Sequence, residues 1–421
     1  MNRRVVITGL GTVSAAGVGV KEFWRALRDG VSGIDSITRF DASPFTCRVA
    51  GEAKSFEPRQ FMSAKLAATT NRFTQLGLAA ARMAYDDAGL AQIPHASRFP
   101  VCFGSSTAAA PEFQAEVEQF AKGGAAQVSP AVVVEHIGSA VTNRIAAEFG
   151  FTGQMMALAS GCTSALDVIQ WACGQISSGR TPGVLGGGAD SPLSSVIQAT
   201  WSALGSLSRW PGPPSQALRP FDIMSSGTVL GEAAGAFVLE EYEHAVARGA
   251  QIYAEILGHG NGNLGLQART PEPMATVASL EAAVRSALRV AGVDVSEIDY
   301  ISTHGGGVPK QDRGETAAYK AIFGRLAYNI PISSIKPVTG NPFAAGGALQ
   351  VVAGCLTLAE QFLPPTLNLD VPDAACDLDY VPNRGRMARV NRLLIGTRGI
   401  GPTYSAVVLG HPEAPRARSS A

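Results

Sequence analysis

Cys162 stands in the run from Ala159 to Ala165, among Ser160, Gly161, Thr163 and Ser164. A free cysteine by itself behaves as a small hydrophobe and is commonly buried. The setting of this one favours a nucleophile. Leu166, Ile169, Cys173 and Ile176 follow it at helical spacing, so it lies at a strand-to-helix junction, where a helix begins. A helix N-terminus lowers a thiol pKa and offers N–H groups to an oxyanion, while the small neighbours leave access for a substrate carbonyl. Cys47, Cys102, Cys173, Cys355 and Cys376 lack that combination.

His304 follows an apolar strand that ends at Thr303 and precedes Gly305, Gly306 and Gly307. A lone histidine usually has a structural or surface role, as assigned here to His95, His136, His244, His259 and His411. The three glycines gain a purpose if a ligand arm passes beside the imidazole of His304. Asn341 lies between a strand and an apolar helix, in the stretch from Ser334 to Gly347. An Asn-Pro turn that opens the helix explains it, and so does a neutral amide donor placed beside a thiolate and an imidazole. Spacing leaves both readings open.

The elements that must hold these residues alternate. Arg4 to Thr8 reads as a strand, Val20 to Arg28 and Thr70 to Ala88 as helices, and Phe99 to Phe103 as a strand. Past the cysteine helix, which ends at Ser178 and Gly179, a strand begins at Pro182 to Gly186. The alternation predicts an α/β fold with a largely buried sheet. From about Gln251 a similar order returns: helix Val277 to Ala291, strand Asp299 to Thr303, a segment from Tyr328 to Ile335, and a helix from Phe343 to Gln361 that is apolar nearly all round. Such a helix belongs in the interior. Arg392 to Thr397 and Thr403 to Leu409 close the order as strands, and 411–421 reads as a disordered tail. The order hints at a duplicated half: 1–250 with the cysteine, 251–410 with the histidine and asparagine.

Composition narrows the function classes. The 421 residues allow a large two-lobed core. The 34 basic and 34 acidic residues cancel, and charged residues are only 16% of the chain, so no global field favours nucleic acid or an anionic membrane. Scattered cysteines without CxxC pairs predict reduced thiols and neither a zinc ribbon nor a disulfide framework. No apolar run approaches the ~20 residues of a membrane span, and the strand beginning at Arg4 leaves no room for a signal peptide, so a soluble cytoplasmic protein is the default. Gly9 and Gly11 have dinucleotide-loop spacing, but Ser14 stands where the third glycine belongs. We read a glycine turn there, with no cofactor and no metal.

Taken together, these stretches resemble the β-ketoacyl-acyl carrier protein synthases, the condensing enzymes of fatty acid and type II polyketide synthesis. The resemblance runs from Val5 through Gly11, Arg219 to Asp222, Gly231 and Glu232, and Pro364 to Asn368, to Asp377 through Asn383. It implies the thiolase fold, a five-layered α/β/α/β/α sandwich of two similar halves, normally dimeric. It implies an acyl group accepted by Cys162 from the phosphopantetheine of an acyl carrier protein, and a malonyl thioester decarboxylated with the help of His304. Asp312, Glu315 and Lys336 match supporting positions, and the backbone N–H groups of Cys162 and Ile400 match the oxyanion donors. The partner set is then a carrier protein and a second ketosynthase-like subunit, identical or not.

The departures are specific. Elongating members carry a second histidine where this chain has Asn341. Two threonines that usually bond the pantetheine arm are Gly306 and Val308. The usual Gly-Phe-Gly-Gly-Thr-Asn loop runs from Gly399 to Tyr404 with Ile400 at the gating phenylalanine and Pro402 lacking an N–H. An Arg-Asp pair is replaced by Ser225 and Ser226. The resemblance therefore implies a specialised condensing enzyme. An acyl-transfer protein that does not elongate, and a non-catalytic partner subunit, are the other two readings; retained Cys162 and His304 count against the last.

Overall fold

The computed structural model describes residues 3–264, 272 and 274–413. Ten strands carry the fold. The first half contributes β1 (Val5–Ser14), β2 (Val101–Gly104), β3 (Met155–Leu158), β4 (Gly183–Asp190) and β5 (Ala233–Glu241). The second contributes β6 (Ala254–Asn263), β7 (Tyr300–Ser302), β8 (Ile332–Ser333), β9 (Arg392–Gly399) and β10 (Thr403–Gly410).

The spatial order is β3-β2-β4-β5-β1 in one half and β8-β7-β9-β10-β6 in the other. The pairing senses match as well. β2 is parallel to β3 and β4, as β7 is to β8 and β9, and the remaining neighbours are antiparallel. The duplication hinted at by element order is thus present strand by strand. Val5 pairs with Ile256 and Ile7 with Ala254, so β1 and β6 join the two halves into one continuous sheet.

Helices fill the layers between and outside these halves. The Ser164–Ser177 and Ala344–Glu360 helices pack on each other and against both halves, and the second is buried along nearly its whole length. Arg72–Asp87 covers β1, β5 and β4 from outside, while Met274–Ala291 covers β6 and β10 and carries Pro309–Phe323. The result is the five-layered thiolase fold.

Three local readings change. The glycine turn after Thr8 is the continuation of β1, because a Cβ at Gly9 or Gly11 would meet the backbone oxygens of Ala84 and Ala80 at 2.4 and 2.0 Å. Those glycines let the Arg72–Asp87 helix lie close on the strand. The expected Thr70 to Ala88 helix starts at Arg72, since Thr70 and Asn71 are extended and separate it from a short helix, Ala64–Thr69. In the segment from Tyr328 to Ile335 only Ile332 and Ser333 pair as strand; Gly324–Tyr328 is a 3-10 turn. Of the expected tail, 414–421 lies outside the described residues. Among the described residues no helix is long and apolar enough to cross a membrane.

Candidate active site

Cys162 sits where β3 gives way to the central helix. Gly161 turns the chain with φ +73°, the left-handed region that glycine enters without strain, and Gly161–Thr163 forms a single 3-10 turn before the helix. Hydroxyls fix this turn: Thr163 Oγ1 donates to Ser160 O at 2.9 Å, and Ser164 Oγ accepts from Ser160 N at 3.0 Å. Small residues behind it let the helix approach the sheet, since a Cβ at Gly104 would lie 2.6 Å from Ser164 Cβ.

Cys162 is buried at 5% exposure. Burial, reinforced by the nearby Asp190 carboxylate, pushes its thiol up to about 12, while Lys336 and Arg398 pull the other way. The helix start was expected to lower this pKa. Desolvation wins, because a thiolate in that cavity has lost its water. The resting group is a thiol.

His304 follows β7 and faces the cysteine from the second half. Its Nδ1 accepts the backbone N–H of Arg398 at 3.1 Å. In a neutral ring that acceptor role leaves the proton on Nε2. Burial and the Lys336 and Arg398 cations hold the imidazole well below the usual histidine range. Lys336 Nζ donates to His304 O at 2.5 Å and lies 3.4 Å from Nδ1; burial lowers its own pKa to about 8.

Two carboxyl groups brace the loop beyond the histidine. Glu315 accepts from Gly305 N at 2.9 Å, Thr303 Oγ1 at 3.0 Å and Tyr404 OH at 3.1 Å. Asp312 accepts from Phe221 N at 3.1 Å, and burial beside Glu315 pushes it up to about 8. Neither is an exposed acid available to substrate: both are buried in the wall behind His304.

Asn341 is held by its backbone, donating to Val229 O at 2.8 Å and accepting from Gly231 N at 3.0 Å. Its side chain makes no cap bond to the following helix, whose first N–H, on Ala344, goes instead to Asp190 at 2.8 Å. The amide Oδ1 is buried without a hydrogen-bond partner among the described residues. The turn-forming role therefore belongs to the backbone and Pro342, and the amide is left for something else.

These three groups line one cavity of about 170 Å³, shared with Gly306, Val308 and Ile400. Ile400 is 62% exposed, so its side chain stands at the rim. A Cβ at Gly306 would lie 3.2 Å from His304 Nε2, which places this glycine directly over the ring's proton-bearing edge. Ser225 Oγ donates to Gly307 O at 2.7 Å, so the serine that replaces a usual arginine anchors the glycine loop. A larger cavity, about 680 Å³, opens at the other end of the Ser164–Ser177 helix beside Cys173. Volume alone would select it; the convergence of cysteine, histidine and amide selects the smaller one.

Thr228, Arg398 and Trp201 also line the site and escaped the sequence reading. Trp201 stacks on Phe343 with ring centroids 5.1 Å apart, joining the Ser195–Ala203 helix to the Asn341 loop. For Arg398 a signal existed: a cation ends a strand that is otherwise apolar from Leu393 to Ile395 and directly precedes the altered Gly399 loop. For Thr228 and Trp201 nothing in the local sequence marked them.

The model of the β-ketoacyl synthase N-terminal domain matches residues 2–245, and that of the β-ketoacyl synthase C-terminal domain matches 253–370. The chain belongs to the β-ketoacyl synthase family. The synthase is 35% identical over 408 residues to 3-oxoacyl-[acyl-carrier-protein] synthase 2 of Coxiella burnetii, covering 97% of this chain and 98% of that one. It is 35% identical over 422 residues to the tetracenomycin polyketide synthase ketoacyl synthase alpha subunit of Streptomyces glaucescens, covering 98% of both. A type II polyketide ketosynthase solved with its acyl-carrier protein and a bound hexaketide superposes with a TM-score of 0.89 at 30% identity, over 97% of this chain and 100% of that one. The synthase is accordingly an acyltransferase of the 3-oxoacyl-[acyl-carrier-protein] synthase type, with a ketosynthase-like role in fatty acid or polyketide biosynthesis.

Proposed function

We propose that Cys162 is the acyl-accepting nucleophile and that His304 and Asn341 serve a decarboxylative Claisen condensation. In the first half-reaction Sγ attacks an acyl thioester, the carrier's C–S bond breaks, and the thiol proton passes to the departing sulfur. Backbone N–H groups of Cys162 and Ile400 stabilise the tetrahedral oxyanion. In the second, the bond between the α-carbon and the carboxylate of a malonyl thioester breaks. CO2 leaves, and the electron pair forms an enolate whose oxygen accepts from His304 Nε2–H and the Asn341 amide. The α-carbon then attacks the acyl-enzyme, and the Cys162 thiolate is released and takes up a proton from solvent.

One observation carries this reading: Cys162, His304 and Asn341, drawn from both halves, line one small cavity, and the Arg398 N–H on Nδ1 fixes His304 as a donor at Nε2. Intact-protein mass spectrometry with a panel of acyl-carrier proteins tests it. Acylation absent from Cys162→Ala and chased by malonyl-carrier protein to a β-ketoacyl product with CO2 is the expected result. An adduct that persists in Cys162→Ala removes the assignment.

A second reading, acyl transfer without extension, is favoured by the neutral amide at 341 and the missing hydroxyls at Gly306 and Val308. It requires acylation with no CO2 release. The carrier protein is the natural partner under either reading. We place the protein in the cytoplasm and in a dimer, with an identical subunit or with a second ketosynthase-like chain. The domain boundary falls near residue 250, between β5 and β6.

A further inference from the structure

Two residues that line the cavity beside Cys162, Thr228 and Arg398, carry polar side chains that condensation does not use. Thr228 Oγ1, Asn341 Oδ1 and Arg398 Nε belong to its lining residues, are shut off from solvent, and have no hydrogen-bond partner among the described residues. Buried polar groups in native proteins are almost always paired, because an unmade bond costs the full desolvation of the group. Two of the three, Thr228 Oγ1 and Arg398 Nε, can donate, and together they point to a ligand that accepts.

The arginine is the informative member. Its side chain is 11% exposed. One terminal nitrogen donates to Glu272 at 2.7 Å, and Glu272 in turn accepts from Thr276 Oγ1 at 2.7 Å, so the guanidinium is held in place with Nε–H still unused. Its backbone N–H is committed to His304 Nδ1. A neutral alkyl chain satisfies neither Nε–H nor the Thr228 hydroxyl. A cation and a hydroxyl donor in one cavity complement a carboxylate, the pairing that makes the strongest hydrogen bonds in proteins.

We propose that Arg398 Nε and Thr228 Oγ1 form a carboxylate-binding subsite that recognises the free carboxyl of the extender thioester, an inference that rests on the malonyl-type donor assigned above. Its kinetic signature is distinctive. A guanidinium stabilises the carboxylate more than the neutral CO2 it becomes, so it tightens binding and slows the loss of CO2. KM and kcat for the extender are then both held down by Arg398, and both rise in Arg398→Leu. A merely structural arginine would lower kcat on removal.

Binding of malonyl pantetheine and of neutral, isosteric acetoacetyl pantetheine to Cys162→Ala protein, by calorimetry with CO2 followed in the same samples, tests the proposal. Malonyl is expected to bind roughly tenfold to a hundredfold more tightly. That preference is expected to vanish in Cys162→Ala/Arg398→Leu, to survive in part in the Arg398→Lys counterpart, and to weaken in the near-isosteric Thr228→Val counterpart, which keeps the cation and its Glu272 anchor. An unchanged malonyl preference in both the Leu and Val proteins overturns the subsite, as does equal binding of the two thioesters by the parent. If the preference depends on Arg398 yet the wild type makes no β-ketoacyl product, the subsite stands and condensation falls. Product formation without the preference sinks the subsite alone.

Discussion

The backbone N–H of Arg398, on β9, reaches Nδ1 of His304, just beyond β7, at 3.1 Å. This bond ties the tautomer of the imidazole to the register of two parallel strands, and it survives only while Nδ1 is unprotonated. Because burial, Lys336 and Arg398 depress the histidine pKa, the ring stays neutral as pH falls through about 6.5, the ordinary value. The acid limb of condensation is therefore expected below pH 6.5. Lys336, lowered to about 8, loses its cation as pH rises through that value, giving an alkaline limb near 8. A pH-rate profile on saturating carrier substrates checks both limbs; an acid limb at an ordinary histidine value contradicts the assignment.

Cys162 should be slow toward alkylation. With its thiol pushed up to about 12, the thiolate fraction at pH 8 is far below that of a free cysteine. Iodoacetamide labelling of Cys162, followed by peptide mass spectrometry, is expected to be at least roughly a hundredfold slower than for a free thiol and to quicken about tenfold per pH unit. Rapid labelling at neutral pH would mean a thiolate at rest.

Asn341→Leu separates stability from chemistry. The substitution removes a buried carbonyl that has no partner among the described residues, so unfolding in denaturant is expected to show a gain of about 1 kcal/mol. CO2 release is expected to fall about a hundredfold, the scale of losing one donor to a developing oxyanion, while acylation of Cys162 persists. Full condensation by this variant would leave His304 as the sole donor that matters.

Ser225→Ala removes the hydroxyl that holds Gly307 O at 2.7 Å. The glycine loop carries Gly306 over His304, so the expected effect is a few-fold rise in KM for carrier substrates and a loss of about 1 kcal/mol in stability. Steady-state kinetics beside denaturant unfolding measures both. A variant identical to wild type in KM would reduce Ser225 to a surface contact.

The duplicated architecture was legible because it rests on periodicity and order: the apolar Ala344–Glu360 helix reads as interior whatever surrounds it. Cys162 and His304 were legible for a related reason, since small residues and glycines beside a reactive side chain mark local clearance. The electrostatics were not. A helix start argues for an acidic thiol, and only the three-dimensional enclosure of Cys162, with Asp190 nearby, reverses the sign. Gly9 and Gly11 misled in the same way. Their spacing suits a turn, but the helix that fills the space above them comes some 70 residues later in the chain. Thr228 and Arg398 acquire meaning only when β9 and the loop before β5 meet.

The central layer is shared, one helix from each half, and that arrangement sets a timetable for biosynthesis. When Ser164–Ser177 leaves the ribosome, the Ala344–Glu360 helix that packs on it has yet to be translated. At about 5–20 residues per second the Ser164–Ser177 helix waits roughly ten to forty seconds with an apolar flank bare. Such an intermediate is a natural client for chaperones, and slowing translation past residue 250 would lengthen its exposure and raise the aggregated fraction.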